Sequence, residues 1–467
     1  MADRDPHTPP IAYCPGDDVL AIWARDNPPV PALYQADSFT DLGPTSLDAS
    51  RYTSPAFFQA EVEKMWPRVW QMAARDDEFP EAGDLVVYDN LGKSVILVRQ
   101  PDLSVKAFWN VCLHRGRKLR TESGTAADLQ CPFHGFTWAN DGSLKQIPCR
   151  WDFAHLSDEA MALPEVRAES WAGYWFVNWD GTAPSLASYL APLPEHFARW
   201  NQERNFTAVW VGKVIKANWK VVSEAFMEAW HSVVTHPQIL PFTGDANSRY
   251  STWGDHVNLA LTPFGVPSPH LGDIPEDAII DAFSGGSGRT MQEAEPITLQ
   301  PGQTARQALG ERNRAAFRAL GYPEAETASD AELLDAWTYN VFPNLSPWGG
   351  FMSNICYRWR PWPDENATLM EVRVLAKAPA GSPVPRAAEM VFLSENEDWG
   401  SVTSWGRLGS VFDQDMANLP YVQDGLHSSA NGRIQLGRYQ ESRIRHFHAT
   451  LDKYLAASAD QAPGQAA

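Results

Sequence analysis

The 467-residue sequence predicts an α+β protein in two parts: a small antiparallel β-domain, then a larger α+β domain with a central antiparallel sheet flanked by helices. Three features carry this expectation. Between residues 84 and 111, the β-branched and aromatic runs "DLVVYD", "SVILVR" and "SVKAFWNV" are separated by turn residues such as "NLGK". After the Pro-rich stretch "GTAPSLASYLAPLP", a longer strand pattern, "FTAVWVGKVI", leads into the helical "NWKVV". Beyond residue 340, strand runs ("WGGFMSNICYRWRPW", "ATLMEVRVLAKAP") are followed by helical patterns.

Residues 1–50 are rich in Pro, Asp and Ser with little periodicity, and read as an extended arm. "SPAFFQAEVEKMWPRVW" reads as one amphipathic helix, with Ser54 as N-cap and Pro55 at the first helical position. It leads a first domain, residues 51–185, whose last strand is "YWFVNW" before Asp180-Gly181. A second domain spans 186–455. Its pattern loosens between about 240 and 340, where the Gly-rich "FSGGSGRT" and the helical "TARQALGERNRAAFRALG" suggest lid and pocket material. A helix is expected from about 385 to 409, another near "SRIRHFHATLDKYLAAS", and a disordered tail over 456–467. The formal net charge of −19 argues against nucleic acid or an anionic membrane as partner. No apolar run reaches about 18 residues, and "MADRDPHTPP" lacks the apolar core of a secretory signal. Five scattered cysteines are too few for a disulfide framework, so a reducing, cytoplasmic setting is expected.

The stretch "NVCLHRGRKLRTESGTAADLQCPFHG" places Cys112-x-His114 ahead of Cys131-x-x-His134. Common zinc spacings keep two Cys together and two His together; here each half supplies one of each. That split suits two inequivalent metal ions, one held by both thiolates and one by both imidazoles, as in a [2Fe-2S] cluster where His₂ replaces Cys₂ on one iron. Gly116 and Gly135 allow tight turns around such a group. The run "CLHRG…CPFHGFTW" resembles the cluster motif of the large (α) subunits of Rieske non-haem iron oxygenases, the aromatic-ring-hydroxylating dioxygenase family. The resemblance implies that Cys112 and Cys131 bind one iron of a Rieske [2Fe-2S] cluster and His114 and His134 the other.

A second cluster lies in "NWKVVSEAFMEAWHSVVTH". His231 and His236 are five apart, about 140° round an ideal helix, so they face one ion only if the helix ends or loosens between them. Pro237 supplies such an end, because the residue before proline disfavours the α region. Glu228, three before His231, lies within its reach. The family's spacing of carboxylate, His and His matches Glu228, His231 and His236, and implies a mononuclear Fe(II). Two histidines leave that iron short of the facial triad of two His and a carboxylate. By position the family's carboxylate falls on Asp398, with Glu395 and Glu397 open as alternatives. Glu228 stands where Asp is common, Ala225 where Asn is, and Trp230 where Tyr is. Glutamate at this place resembles Rieske monooxygenases acting on quaternary amines.

The resemblance implies a terminal oxygenase that takes electrons from NAD(P)H through a ferredoxin or reductase and uses O₂ on a small apolar or aromatic substrate. Cis-dihydroxylation of an aromatic ring is expected first, with monohydroxylation or demethylation of a quaternary amine as the alternative. It further implies a homotrimer, or a trimer with a small β subunit, in which Glu228 bridges metal-bound histidines of neighbouring chains. Arg115, Arg117, Lys118 and Arg120 form a cationic patch fit for an acidic ferredoxin. Phe226, Leu240, Phe242, Phe264 and Phe283 are candidate pocket residues.

Overall fold

The computed structural model describes residues 17–286, 297–352 and 355–457. The start of the expected arm, part of the "FSGGSGRT" stretch and the tail from 458 lie outside the described residues.

The arm is extended, as its composition suggests, but it is not detached. It carries two short helices, α1 (Val19–Trp23) and α2 (Ala32–Gln35), whose Trp23 and Tyr34 are buried in the core of the second domain. The Trp23 ring stacks 5.4 Å from Trp337, and its indole N–H donates to Asp335 at 2.8 Å. The expected helix over 54–70 begins as foreseen: Ser54 caps α3 (Pro55–Ala60) by accepting from the Phe57 amide. It then widens into one π turn, Glu61–Met65. The extra residue turns Glu61 inward, where its carboxylate accepts from Lys220 Nζ at 2.6 Å and from the Trp219 indole at 2.9 Å.

The first domain is built from three small sheets. Strands β1 (Gln71–Arg75), β2 (Asp84–Asn90), β3 (Lys93–Arg99) and β4 (Val105–Trp109) precede β5 (Leu129–Gln130), β6 (Thr137–Trp138), β7 (Leu144–Gln146), β8 (Arg167–Trp171) and β9 (Tyr174–Asn178). β4-β3-β2 form one antiparallel sheet with a two-residue strand at its edge; β5-β6-β7 and β8-β9-β1 form the others. The second domain centres on eight strands. β10 (Asn205–Ile215), β11 (Arg249–Trp253), β12 (Val257–Thr262), β13 (Ala336–Val341), β14 (Leu345–Gly349), β15 (Ile355–Pro361), β16 (Thr368–Lys377) and β17 (Met390–Leu393) lie in the order β11-β12-β13-β14-β15-β16-β10-β17. Every pair is antiparallel except β10–β17. Helices α4 (Trp219–Glu224), α5 (Ser232–Thr235), α6 (Ala305–Ala319), α7 (Leu408–Met416) and α8 (Ser442–Ala456) flank it. The expected helix over 385–409 is absent. Residues 390–393 pair with β10, short 3₁₀ turns follow, and α7 starts only at Leu408.

The domains are joined by buried arginines of the large sheet. Arg358 on β15 donates to Glu371 on β16 at 2.7 Å and to the carbonyl of Ala73 in β1 at 2.5 Å. Arg373 reaches Glu78 at 3.0 Å. Burial pushes the Glu371 carboxyl up, but Arg358 and then Arg360 outweigh it and hold it well below the usual carboxylate range. A depressed carboxylate contributes stability that is present above its unfolded value, about 4.3, and is lost as pH falls through the folded one. Glu371→Gln, which strands the Arg358 charge, is expected to cost about 3–5 kcal/mol at neutral pH. In denaturant titrations the gap to wild type should narrow steadily below about pH 4.

Candidate metal centres and cavity

Each Cys/His pair of the first domain sits in a tight loop, and the two loops are built alike. The Cys112 amide donates to Arg117 O (2.8 Å) and the Gly116 amide to Cys112 O (3.0 Å). The Cys131 amide donates to Phe136 O (2.8 Å) and the Gly135 amide to Cys131 O (3.0 Å). Gly116 and Gly135 have φ of 76° and 78°, a left-handed conformation that glycine adopts without cost. Both cysteines are buried free thiols, and the rings of His114 and His134 lie 4.7 Å apart. His114 Nδ1 is buried without a hydrogen-bond partner. Burial, His134 and Arg115 push its imidazole toward the neutral form, while burial chiefly pushes the Cys112 thiol up. Two close thiols, an orphaned imidazole nitrogen and a neighbouring exposed imidazole are a donor set that fits a Cys₂His₂ cluster. Phe136 stacks on His114 at 4.7 Å, and Phe153 meets it edge-on at 5.7 Å.

In the second domain the chain leaves α4 at Glu224 and resumes a helix only at Ser232. His231 and His236 bracket the single-turn α5, with His236 at φ −128° and ψ 55°. The break expected before Pro237 is therefore present, and it brings the two rings to 5.2 Å. His231 Nδ1–H donates to Glu228 Oε1 at 2.7 Å, and the His231 amide donates to Glu228 Oε2 at 3.0 Å. His236 Nδ1–H donates to Gln414 Oε1 at 2.8 Å. Each imidazole is thus held by its Nδ1, which leaves Nε2 for an ion.

The carboxylate facing those Nε2 atoms is Asp415, not Asp398. Asp415 Oδ1 lies 2.8 Å from His236 Nε2 and 3.7 Å from His231 Nε2, and the three donors lie within 4.8 Å of one another. Two cis ligands about 2.1 Å from an ion would stand about 3 Å apart, so the triad fits a divalent cation. Asp398 is exposed and opens a 3₁₀ turn, because the chain from 394 to 405 forms turns on the surface. Exposed Glu395 pairs with Lys216, and Glu397 accepts from the Ser394 amide. Asp415 sits in the last turn of α7, seventeen residues beyond Asp398. The acidic pair in "VFDQDM" was its only trace in the sequence, and Gln414 had none. Burial pushes His231 down, but Glu228, with Asp415 and Asp245 behind it, more than offsets this and lifts it to about 9. The same carboxylates, Glu228 and Asp415, place negative charge around the position a cation would take.

Above the triad opens a cavity of about 900 Å³, mouth included. Its walls are apolar and aromatic: Phe226, Phe242, Phe264, Trp348, Tyr357 and Phe412. Three of the expected pocket residues line it. Leu240 does not, and Phe283 packs behind Phe242 at 5.2 Å. No Lys or Arg is among its lining residues.

Residues 69–157 match the model of the Rieske [2Fe-2S] domain, and residues 196–457 that of the ring hydroxylating alpha subunit, catalytic domain. The large oxygenase component of the naphthalene 1,2-dioxygenase system of Pseudomonas fluorescens is 35% identical over 323 residues, covering 62% of this chain and 69% of that one. The carnitine monooxygenase oxygenase subunit of Acinetobacter pittii is 30% identical over 193 residues, 40% of this chain. This chain spans about half the length of that relative, 51%. A solved naphthalene 1,2-dioxygenase superposes with a TM-score of 0.62 at 22% identity, over 90% of this chain and 94% of that one. A quaternary ammonium Rieske monooxygenase does so with 0.60 at 19%, over 88% and 95%.

Since the Gln414 side chain orients His236 and also accepts from Gln238 at 2.7 Å, Gln414→Ala should weaken mononuclear metal binding about ten- to a hundredfold. Metal titration should show this with the cluster's visible spectrum unchanged.

Proposed function

We propose, for a chain that belongs to the ring hydroxylating alpha subunits with a Rieske domain, that it is a terminal oxygenase acting on an apolar aromatic substrate, most simply by cis-dihydroxylation. The observation that carries this reading is the apolar cavity ending on His231, His236 and Asp415. In this reading those three residues hold Fe(II), and Cys112, His114, Cys131 and His134 hold the [2Fe-2S] cluster. When bound, the iron supplies oxygen activation and the cluster supplies electrons.

The chain's own groups do the rest. The aromatic walls exclude water and orient a flat substrate by ring contacts. Glu228 fixes the His231 tautomer and, being 10% exposed, stays open to a second donor. That donor is the ring N–H of exposed His134 on a neighbouring copy, so that Glu228 bridges subunits of a trimer. Exposed Phe133 and Trp151 in the first domain, and Trp230 and Val234 beside Glu228, support a heterologous contact of this kind. Arg115, Arg117 and Lys118 are exposed and suit an acidic ferredoxin fed by an NAD(P)H-dependent reductase, although Lys118 also pairs with Asp89 at 2.9 Å.

A second reading, oxidation of a quaternary amine, is favoured by one feature: Glu228 in place of Asp, within reach of an aromatic pocket that can receive a cation by its ring faces. Against it, a substrate carboxylate would meet no cationic side chain among the lining residues. Product analysis with purified redox partners decides between the readings. Bicyclic aromatics should yield cis-diols and carnitine nothing; turnover of carnitine alone would overturn the first. Glu228→Ala should keep both metals and a reducible cluster yet nearly abolish product, with Glu228→Asp intermediate. Wild-type turnover in Glu228→Ala would remove the bridge.

A further inference from the structure

The segment between α4 and α5 carries Glu228 but has little helical hydrogen bonding of its own. Its support comes from Arg443, at the start of α8. The Arg443 side chain is completely buried. Its Nη1 donates to the carbonyls of Met227 at 3.2 Å and Phe226 at 3.5 Å, the two residues immediately before Glu228. Its Nε donates to Asn258 Oδ1 on β12 at 2.7 Å. Its Nη2 is buried without a partner, as is the hydroxyl of Tyr250.

Among the described residues no carboxylate lies within ion-pair distance of this guanidinium. Several buried arginines of the chain are paired, Arg306 with Asp26 and Asp335 and Arg358 with Glu371, while buried Arg445, like Arg443, donates to backbone carbonyls, those of Gly437, Thr45 and Leu436. A buried charge is normally retained only with a counter-charge. Burial pulls Arg443 down to about 9, opposed by the charges of Tyr250 and Glu228. Glu228 itself is bonded to the amide and ring of His231, not to Arg443.

We propose that Arg443 is a positioning residue for electron delivery: its Nη1 pins the carbonyls leading into Glu228, and its unpaired charge beneath the segment holds the Glu228 carboxylate in place against His231. This rests on the reading of the chain as a Rieske terminal oxygenase. It adds a residue outside the metal ligands, reached through backbone carbonyls and through charge acting across the segment.

The test compares Arg443→Gln, Arg443→Lys and Asn258→Asp in the metal-loaded protein. Asn258→Asp keeps the shape at the Nε contact and offers the guanidinium a counter-charge away from Glu228; it also replaces the amide that donates to His446 Nδ1 at 3.3 Å, so Asn258→Leu, which loses that donor without adding charge, is run beside it. Pre-reduced protein is mixed with O₂ and naphthalene, and cluster reoxidation is followed by visible absorbance; amide exchange is read over residues 226–231. Arg443→Gln should slow reoxidation at least tenfold at unchanged KM and deprotect those amides. Arg443→Lys should recover much of the rate, and Asn258→Asp should slow it with no loss of thermal stability. Should Arg443→Gln fail to fold, Asn258→Asp still decides. Unchanged reoxidation in Asn258→Asp, or equal impairment of the Lys and Gln variants in proportion to lost stability, would reduce Arg443 to packing and overturn the proposal. Absence of oxygen-dependent reoxidation in wild type would instead count against the aromatic-substrate reading, while the exchange data still report on Arg443.

Discussion

The structure of the second domain depends on one interruption, the seven residues between Glu224 and Ser232 where the helical ladder stops. On a continuous helix, residues five apart diverge by about 140°, and His231 and His236 would face different neighbours. Here the turn between them ends at His236, whose backbone leaves the helical region (φ −128°, ψ 55°), and both rings face the same point; the backbone freed upstream, between Glu224 and Ser232, must find partners elsewhere. It finds them in Arg443 from α8 and in the Glu228 side chain, which folds back on the His231 amide. The position of α7 follows, because Asp415 and Gln414 must meet both rings from the far side. The cavity is the space left between these elements and the face of the large sheet.

The first domain solves a similar problem by repetition. Two loops with the same hydrogen-bond pattern, each closed by a glycine at positive φ, present one thiol and one imidazole apiece. Aromatic packing by Phe136 and Phe153 leaves His114 Nδ1 no donor or acceptor to satisfy it. The buried Arg358–Glu371 pair and the Glu61–Lys220 pair then hold this domain and its leading helix against the large sheet and α4.

Much of this was legible in the sequence where short-range chemistry decides. The N-cap Ser54-Pro55, the Glu228–His231 contact and the helix break before Pro237 all involve residues within a turn of each other, and all appear as read. What was missed depends on distant partners. The π turn at Glu61 exists because Lys220 and Trp219 need a carboxylate from the leading helix. The arm packs because Trp23 finds Trp337 and Asp335, more than 300 residues away. For the third carboxylate, position in the family pattern points to Asp398, within the helix expected over 385–409. In fact 390–393 add to the sheet edge beside β10, and the turns that follow delay the inward helix to Leu408. An acid opening a surface turn and an acid on a buried helix face look alike until the partner histidines are in place.

Iron content per chain tests most directly whether His231, His236 and Asp415 form the mononuclear site. Wild-type protein and Asp398→Ala should each carry about three irons, two in the cluster and one in the triad, while Asp415→Ala should fall to about two with the cluster's visible spectrum intact. About three irons in Asp415→Ala, or about two in Asp398→Ala, would contradict the site drawn from the structure.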